Sequence, residues 1–523
     1  MKRLISCILL LSLLLSLAAT AGAEFYDEKD FPAKYRPAID YVAEKGIISG
    51  FPDRTFKAAE TLTRAQAAKI LCVALEGAEK ANAVKPAATE FTDVPQTHWA
   101  SGYVAYCAKK SIVAGVGSGK YDPDGKLSSA AFAQMLLVAY GHDPAAEGLV
   151  GAQWAENTDK ALKASGNDVN VGTVDTKALD RAVACQLTEN FVRAAEEKAL
   201  EAQGYPMTTY ALTDKQNYRV LGRAVYDDKG LICDFSASGV EFTLDCAGTI
   251  WVTLSSSNEA GTRFRVYVDG IPGESITFTD EMPTHPMYAD VKPGVHTIRV
   301  VKDVPATAVT MRLEQIAVCS KKETIKPTAE KSFYMEVIGD SITGGSGLYG
   351  PGPTTTNSST AALSFATLAA DMLGADLSIV SRGGIGLVKT TGGATIGTLY
   401  DYQNYYRDKE TKYSFARKPN VVVVAIGTND KADVPNFAEL LTNFIDQIRT
   451  RYNDKSLKIV VMYHMMNERH IEDFEKVAAA DPLCWATKMT KNQEGYGKHP
   501  SADAHKQYAM QLAVLIKGVI GLK

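Results

Sequence analysis

Phe333-Tyr334-Met335-Glu336-Val337-Ile338-Gly339-Asp340-Ser341-Ile342 is the stretch on which the reading of this chain turns. Residues 333–338 read as a strand. Gly339 permits a tight turn, and the turn presents Ser341. A nucleophilic serine needs such a strand-to-loop turn, although the G-x-S-x-G elbow of other hydrolases is absent. A lone Gly-Asp-Ser also opens ordinary helices, so its meaning depends on the pattern downstream of it. There, strands and helices alternate. Residues 361–373 carry a helical apolar pattern, and 376–380 read as a second strand. Asn420-Val421-Val422-Val423-Val424-Ala425-Ile426 is the β-branched run expected of a strand buried on both faces. Residues 437–452 form an amphipathic helix, 457–463 a strand and 502–520 the last helix. The pattern predicts a parallel α/β sandwich, with active residues at the strand C-terminal ends.

Three more motifs stand in order along that pattern. Ser381-Arg382-Gly383-Gly384-Ile385-Gly386 follows the second strand. A glycine-rich turn lets a backbone N–H face a developing oxyanion, with Gly384 as the chosen donor; a plain turn is the alternative. Gly427-Thr428-Asn429-Asp430 follows the valine-rich strand. The Asn429 amide at that strand's mouth is placed to donate to an oxyanion, and an Asn-Asp turn is the alternative. His499-Pro500, in Gly497-Lys498-His499-Pro500-Ser501, stands just before the last helix. Of eight histidines, only His499 precedes a proline at a helix start, where a loop can aim it inward. His98 and His142 fall in repeats, His285 and His296 in a β-rich region, and His464 and His470 after a strand. His505 reads as facing structure or solvent.

Gly339-Asp340-Ser341, the glycine block, Gly427-Thr428-Asn429-Asp430 and His499-Pro500, in this order, resemble the SGNH (GDSL-type) hydrolases. The resemblance implies a flavodoxin-like α/β catalytic domain over residues 332–523. It implies Ser341 as nucleophile and His499 as base. The oxyanion hole would be the N–H groups of Ser341 and Gly384 and the Asn429 amide. The chain departs from the family at Tyr496, where an Asp three residues before the histidine is usual. Some members resembling this group orient the histidine with a backbone carbonyl instead, and a Ser–His dyad so held still works. This chemistry requires no metal and no organic cofactor.

Upstream, residues 206–318 alternate with period two. The clearest segments are 239–244, 249–254, 263–268 and 296–301, separated by turns such as Asp269-Gly270 and Pro293-Gly294. That predicts an all-β sandwich. Gly222-Arg223, Gly239-Val240-Glu241-Phe242, Val266-Tyr267-Val268-Asp269-Gly270 and Gly294-Val295-His296-Thr297 resemble the β jelly roll preceding the catalytic domain of carbohydrate esterase family 2. That family removes acetyl groups from polysaccharides such as xylan and glucomannan. The polar stretch 319–331 reads as a linker.

Residues 24–205 repeat. Phe25-Tyr26-Asp27 recurs as Phe91-Thr92-Asp93, and Thr63-Arg64-Ala65 as Ser128-Ser129-Ala130, at offsets of 66 and 65 residues. Each unit holds two helices and a glycine-containing loop. The units span about 25–78, 88–143 and, in degraded form, 150–200, the last carrying Asp180-Arg181-Ala182. These residues resemble S-layer homology repeats. The resemblance implies a three-unit helical module that binds a secondary cell-wall polymer, with Arg64 and Arg181 on its anionic sugar groups. Gln66 replaces the usual acid of the first unit, and the second has lost its arginine. The alternative is that these arginines only decorate helix starts.

Lys2, Arg3, the apolar run 4–17 and Ala21-Gly22-Ala23 read as a signal peptide cleaved before Glu24. Cys7 lies too early in that run to be a lipoprotein cysteine. No later segment is apolar enough to span a bilayer. The net charge of −4 with no long basic run makes nucleic acid a poor partner. Eight cysteines without CxxC or Cys/His clustering argue against structural zinc. Cys233 and Cys246 flank a strand-like segment; pairing and burial as reduced thiols are both open.

The expectation is thus a secreted, wall-attached serine O-acetyl esterase acting on polysaccharide through an acetyl-Ser341 intermediate. Acetylated peptidoglycan or small acyl esters would use the same residues. A different class, a wall- or carbohydrate-binding surface protein with a degenerate esterase domain, draws its support from Tyr496.

Overall fold

The computed structural model describes residues 25–256, 263–277, 283–305, 311–349, 358–391, 393–404 and 408–521. The signal peptide read at 1–23, with Cys7, lies outside them. The chain divides into two compact units, the first ending at Ala199 and the second beginning at Leu200.

The first unit is built from three helix pairs: Arg36–Glu44 with Arg64–Glu76, Ser101–Lys109 with Ser129–Ala139, and Trp154–Ala164 with Arg181–Glu201. Thr63 caps its helix by accepting from the Gln66 N–H, and the Gln66 side chain accepts from the Thr63 N–H. Glutamine completes a capping box as an acid would. Ser128 caps the equivalent helix of the second pair. The residues just before the three second helices bond in a ring. Leu62 N–H donates to Leu179 O at 2.9 Å, Leu179 N–H to Leu127 O at 2.8 Å, and Leu127 N–H to Leu62 O at 2.9 Å. All three leucines are buried. The ring needs all three units, so the degraded third one is structurally complete where it meets the others.

The second unit holds a β-rich part and an α/β part. In the β-rich part the long strands Gly239–Ser256 and Thr284–Lys302 pair antiparallel, and Met311–Ser320 joins the other edge of the first. Segments 239–244 and 249–254, distinct in the sequence pattern, belong to one strand. Its register shifts around Gly248, whose φ of +79° suits glycine. Phe242, Leu244, Val252, Phe264, Ile298 and Leu313 form the core. The stretch 319–331 is not a free linker. Cys319 and Ser320 end a strand, and Lys326–Pro327 pair with Thr243 and Phe242.

The α/β part has five parallel strands in the spatial order Asp376–Ser381, Tyr334–Gly339, Val421–Ala425, Lys458–Tyr463, Cys484–Lys488. That is the 2-1-3-4-5 order of doubly wound sheets, whose switch point lies between the first and third strands. Ser341 and Asn429 follow those two strands. Helices Phe365–Met372 and Ala502–Ile520 cover one face, and Phe437–Arg451 with Ile471–Ala480 the other. Helix Ile471–Ala480 and edge strand Cys484–Lys488 were not expected from the pattern.

The two parts are locked together by a buried ion pair. Arg223, from the β-rich part, donates to Glu336 Oε1 of the first parallel strand at 3.0 Å, and both side chains are fully buried. Tyr400 and Tyr452 hydroxyls donate to Glu336 Oε2 at 2.8 and 3.0 Å. Arg223 also donates to the Tyr400 and Tyr402 carbonyls.

All seven described cysteines are buried free thiols, Cys233 and Cys246 among them. Among the described residues no helix is long and apolar enough to cross a membrane, and no three His, Cys, Asp or Glu side chains cluster as metal ligands.

Candidate active site

Three loops meet at the switch point. The first leaves the strand Tyr334–Gly339. A Cβ on Gly339 would lie 1.9 Å from Thr343 Oγ1 and 2.7 Å from Ala425 O, so only glycine fits. Asp340 is fully buried; it accepts from the Ile342 N–H at 3.0 Å, and Ser341 is half-buried behind it. The second loop carries the glycine block. Gly384 has φ +75°, and a Cβ on Gly383 would sit 3.8 Å from Ser341 Cβ. The Asp430 carboxylate holds this loop by accepting the N–H groups of Leu387, Val388 and Lys389 at 2.9, 3.0 and 2.9 Å. A Cβ on Gly386 would meet that carboxylate at 2.3 Å. The third loop carries His499.

His499 Nε2 lies 2.9 Å from Ser341 Oγ, and His499 Nδ1 lies 3.0 Å from the Tyr496 carbonyl. A carbonyl only accepts, so Nδ1 carries the proton and Nε2 is left as the acceptor for the serine hydroxyl. Burial pushes the His499 pKa below the ordinary value of 6.5, against the carbonyl, which raises it. The backbone N–H groups of Ser341 and Gly384 have no acceptor among the described residues. The Asn429 amide donates to Asp340 Oδ2 at 3.1 Å and to Ile385 O at 2.9 Å. The four motif residues are therefore brought together, each half-buried, at the C-terminal ends of the parallel strands. Burial raises the Asp340 carboxyl to about 7, against hydrogen bonds that lower it.

Other residues resolve differently. His505 is fully buried; its Nδ1 accepts from the Phe365 N–H at 3.0 Å, and burial lowers it to about 3. It is a neutral structural histidine. Gly347, Asp430 and the pairing of Asp340 with Asn429 had no role assigned from sequence. The available signals were a second glycine pair, Gly345 and Gly347, after the nucleophile, and an acid directly after Asn429.

In the first unit, Arg64 donates to the carbonyls of Tyr121 at 2.7 Å and Ala114 at 2.6 Å. Arg181 donates to those of Phe56 at 2.9 Å and Ser49 at 3.0 Å, and its guanidinium lies over the Phe51 and Phe56 rings. Each arginine thus braces the glycine loop of another repeat. Arg181 also lines a concavity with Ile47, Ser49, Phe51, Lys69 and Trp99.

Comparison with known proteins bears on both units of the chain. Residues 335–512 match the GDSL-like lipase/acylhydrolase family, and residues 24–68 and 90–133 match the S-layer homology domain. The chain carries a GDSL-like acylhydrolase domain behind S-layer homology domains. Among curated relatives, the chain is 27% identical over 297 residues to an S-layer protein of Bacillus anthracis, covering 51% of the chain and 33% of the relative. It is 32% identical over 179 residues to an S-layer protein of Bacillus licheniformis, covering 32% of the chain and 20% of the relative. The chain thus spans a third or less of the length of these relatives. Among solved structures, a family two carbohydrate esterase from Cellvibrio japonicus superposes with TM-score 0.54 at 18% identity, covering 60% of this chain and 98% of that one. An acetyl xylan esterase from Butyrivibrio proteoclasticus gives 0.52 at 17%, covering 60% and 99%. At these identities the likeness is one of fold: the second unit has a carbohydrate-esterase-like hydrolase architecture.

Proposed function

We propose that this protein is a cell-surface serine O-acetyl esterase acting on an acetylated polysaccharide of the xylan or mannan type. The observation that carries the reading is the dyad: Ser341 Oγ 2.9 Å from His499 Nε2, beside two N–H groups without acceptors among the described residues. Ser341 Oγ attacks the acetyl carbonyl as His499 Nε2 takes its proton. The tetrahedral oxyanion receives the N–H groups of Ser341 and Gly384. One Asn429 N–H turns to it from Asp340 or Ile385. His499 then returns its proton to the leaving sugar oxygen, which leaves acetyl-Ser341. Water activated by the same histidine releases acetate.

The substrate class draws on the likeness to carbohydrate esterases, which extends over both parts of the second unit. Surface attachment draws on the S-layer homology domains, with Arg64 and Arg181 as the polymer-facing candidates. For both arginines the binding role must coexist with the carbonyl bonds they already make. The test is acetate release from acetylated xylan by the full chain, beside Ser341→Ala. Release that is lost in the variant supports the reading. A chain that cleaves 4-nitrophenyl acetate but no acetylated polysaccharide overturns the substrate class, and one that cleaves neither overturns the activity.

A further inference from the structure

A histidine held by a backbone carbonyl is only as well aimed as the backbone that bears the carbonyl. What fixes Tyr496 therefore fixes the base. The Tyr496 N–H donates to Gly347 O at 2.8 Å and Tyr349 O at 3.2 Å, and the Gly495 N–H to His499 O at 2.8 Å. Gly347 is pressed against this loop: at φ +68°, a Cβ there would lie 2.4 Å from Tyr496 O and 2.9 Å from His499 Cβ. The Ala502 N–H adds a bond to Leu348 O at 3.0 Å. Loop 345–349 is thus the seat of the histidine loop.

That seat is in turn bonded to a buried segment on its far side. The Gly347 N–H donates to Ser359 Oγ at 2.9 Å, the Thr360 N–H to Gly345 O at 2.9 Å, and the Tyr349 N–H to Ser358 O at 3.0 Å. Ser358, Ser359 and Thr360 are buried, and Asp303 of the β-rich part bonds the segment through both its side chain and its backbone. Asp303 Oδ1 accepts from Thr360 Oγ1 at 2.8 Å and from the Ala362 N–H at 2.9 Å, and Asp303 O accepts from the Ala361 N–H at 3.1 Å. Asp303 Oδ2 is held by Arg265 at 2.9 and 3.1 Å, and Arg263 donates to Ser359 O. Asp303 is 1% exposed. Both oxygens of the carboxylate are used, so its position is fixed by both parts of the unit.

We propose that Asp303 is a positioning residue for His499, acting through Thr360, Ser359, Gly347 and Tyr496. The β-rich part is then a component of the catalytic apparatus, fixing at a distance the backbone that aims the histidine. The inference rests on the esterase reading.

Asp303→Asn keeps the shape but turns an N–H₂ toward either Arg265 or the Thr360–Ala362 donors, which loosens the segment. The experiment is steady-state hydrolysis of 4-nitrophenyl acetate by the full chain over a pH series, for wild type, Asp303→Asn and Thr360→Val. The positioning role predicts kcat down at least tenfold in Asp303→Asn, with KM within twofold. The acid limb of kcat/KM moves to lower pH, because the Tyr496 carbonyl that raises the His499 pKa is no longer aligned. Thr360→Val, which removes one bond of the same relay, lowers kcat in the same direction by a smaller factor. If Asp303→Asn does not fold by circular dichroism, Thr360→Val decides. An unchanged kcat and an unmoved acid limb in a folded variant overturn the inference and leave the esterase standing. A wild-type chain without activity removes the esterase reading itself.

Discussion

Arg223→Met tests how strongly the β-rich and α/β parts depend on one another. The guanidinium is fully buried and faces Glu336, which is also fully buried. Desolvation lowers the Arg223 pKa, but Glu336 and the surrounding tyrosines raise it further, so the arginine stays charged. Removing it leaves the Glu336 carboxylate with only the Tyr400 and Tyr452 hydroxyls, at 2.8 and 3.0 Å. Breaking a buried pair on one side costs about 3–5 kcal/mol, because the remaining charge is uncompensated. At roughly 2 °C per kcal/mol for a unit of this size, Tm falls by about 6–10 °C. The second change, Glu336→Gln, removes the stranded charge and keeps an acceptor for both tyrosines. The double variant therefore recovers to within about 2 kcal/mol of wild type. Scanning calorimetry on the full chain reads both, in the transition of the second unit. A single variant within about 1 kcal/mol of wild type, or a double variant no better than the single, refutes the reasoning.

Four other outcomes concern the site. Gly347→Ala places a methyl group 2.4 Å from Tyr496 O at a φ of +68°, so activity on 4-nitrophenyl acetate falls by more than about tenfold; an active variant would show the histidine loop to be free of that contact. Asn429→Ala lowers kcat by about 10²–10³ with little change in KM, the usual effect of deleting one oxyanion donor; a change confined to KM would remove Asn429 from that role. The pH dependence separates two groups. The His499 pKa lies below 6.5, so kcat/KM climbs on a limb below that pH and is level at neutrality; a limb above pH 7 would contradict this. Asp340, raised to about 7 from the ordinary 3.8, binds its proton more tightly folded than unfolded. Its contribution to stability is full below about pH 3.8 and is lost as pH rises through 7. Asp340→Asn, which does not titrate, therefore gains on wild type by up to about 4 kcal/mol between about pH 3.5 and about pH 8, at about 1.4 kcal/mol per unit, whatever fixed cost the amide carries against the Ile342 and Asn429 donors. Equal gains at both pH values would exclude that coupling.

What the sequence disclosed and what it hid divide along a physical line. Ser341, Gly384, Asn429 and His499 were legible because each sits at the end of a strand or the start of a helix. Local apolar patterning announces those positions, and the valine-rich run 420–426 marks the central strand with little ambiguity. Cys484–Lys488 was hidden because it is a short edge strand whose pairing is with Lys458–Tyr463 alone. The bend at Gly248 was hidden because both halves of the strand alternate normally. Asp303 and Arg223 were hidden for a different reason. Their partners, Thr360 and Glu336, stand 57 and 113 residues away, and no periodicity reports such a contact. At position 496 the resemblance left two readings open, a degenerate site or a histidine held by a backbone carbonyl, and in the folded chain it is the Tyr496 carbonyl that faces His499 Nδ1.

The central claim is that Ser341 is a nucleophile activated by a carbonyl-oriented His499. Fluorophosphonate labelling of the full chain at about pH 7.5, where His499 is neutral, followed by peptide mass spectrometry, tests it most directly. The account predicts one adduct, on Ser341, with the labelling rate down by at least about 10²-fold in His499→Ala. An unlabelled wild-type chain, or an adduct on a different serine, would contradict it.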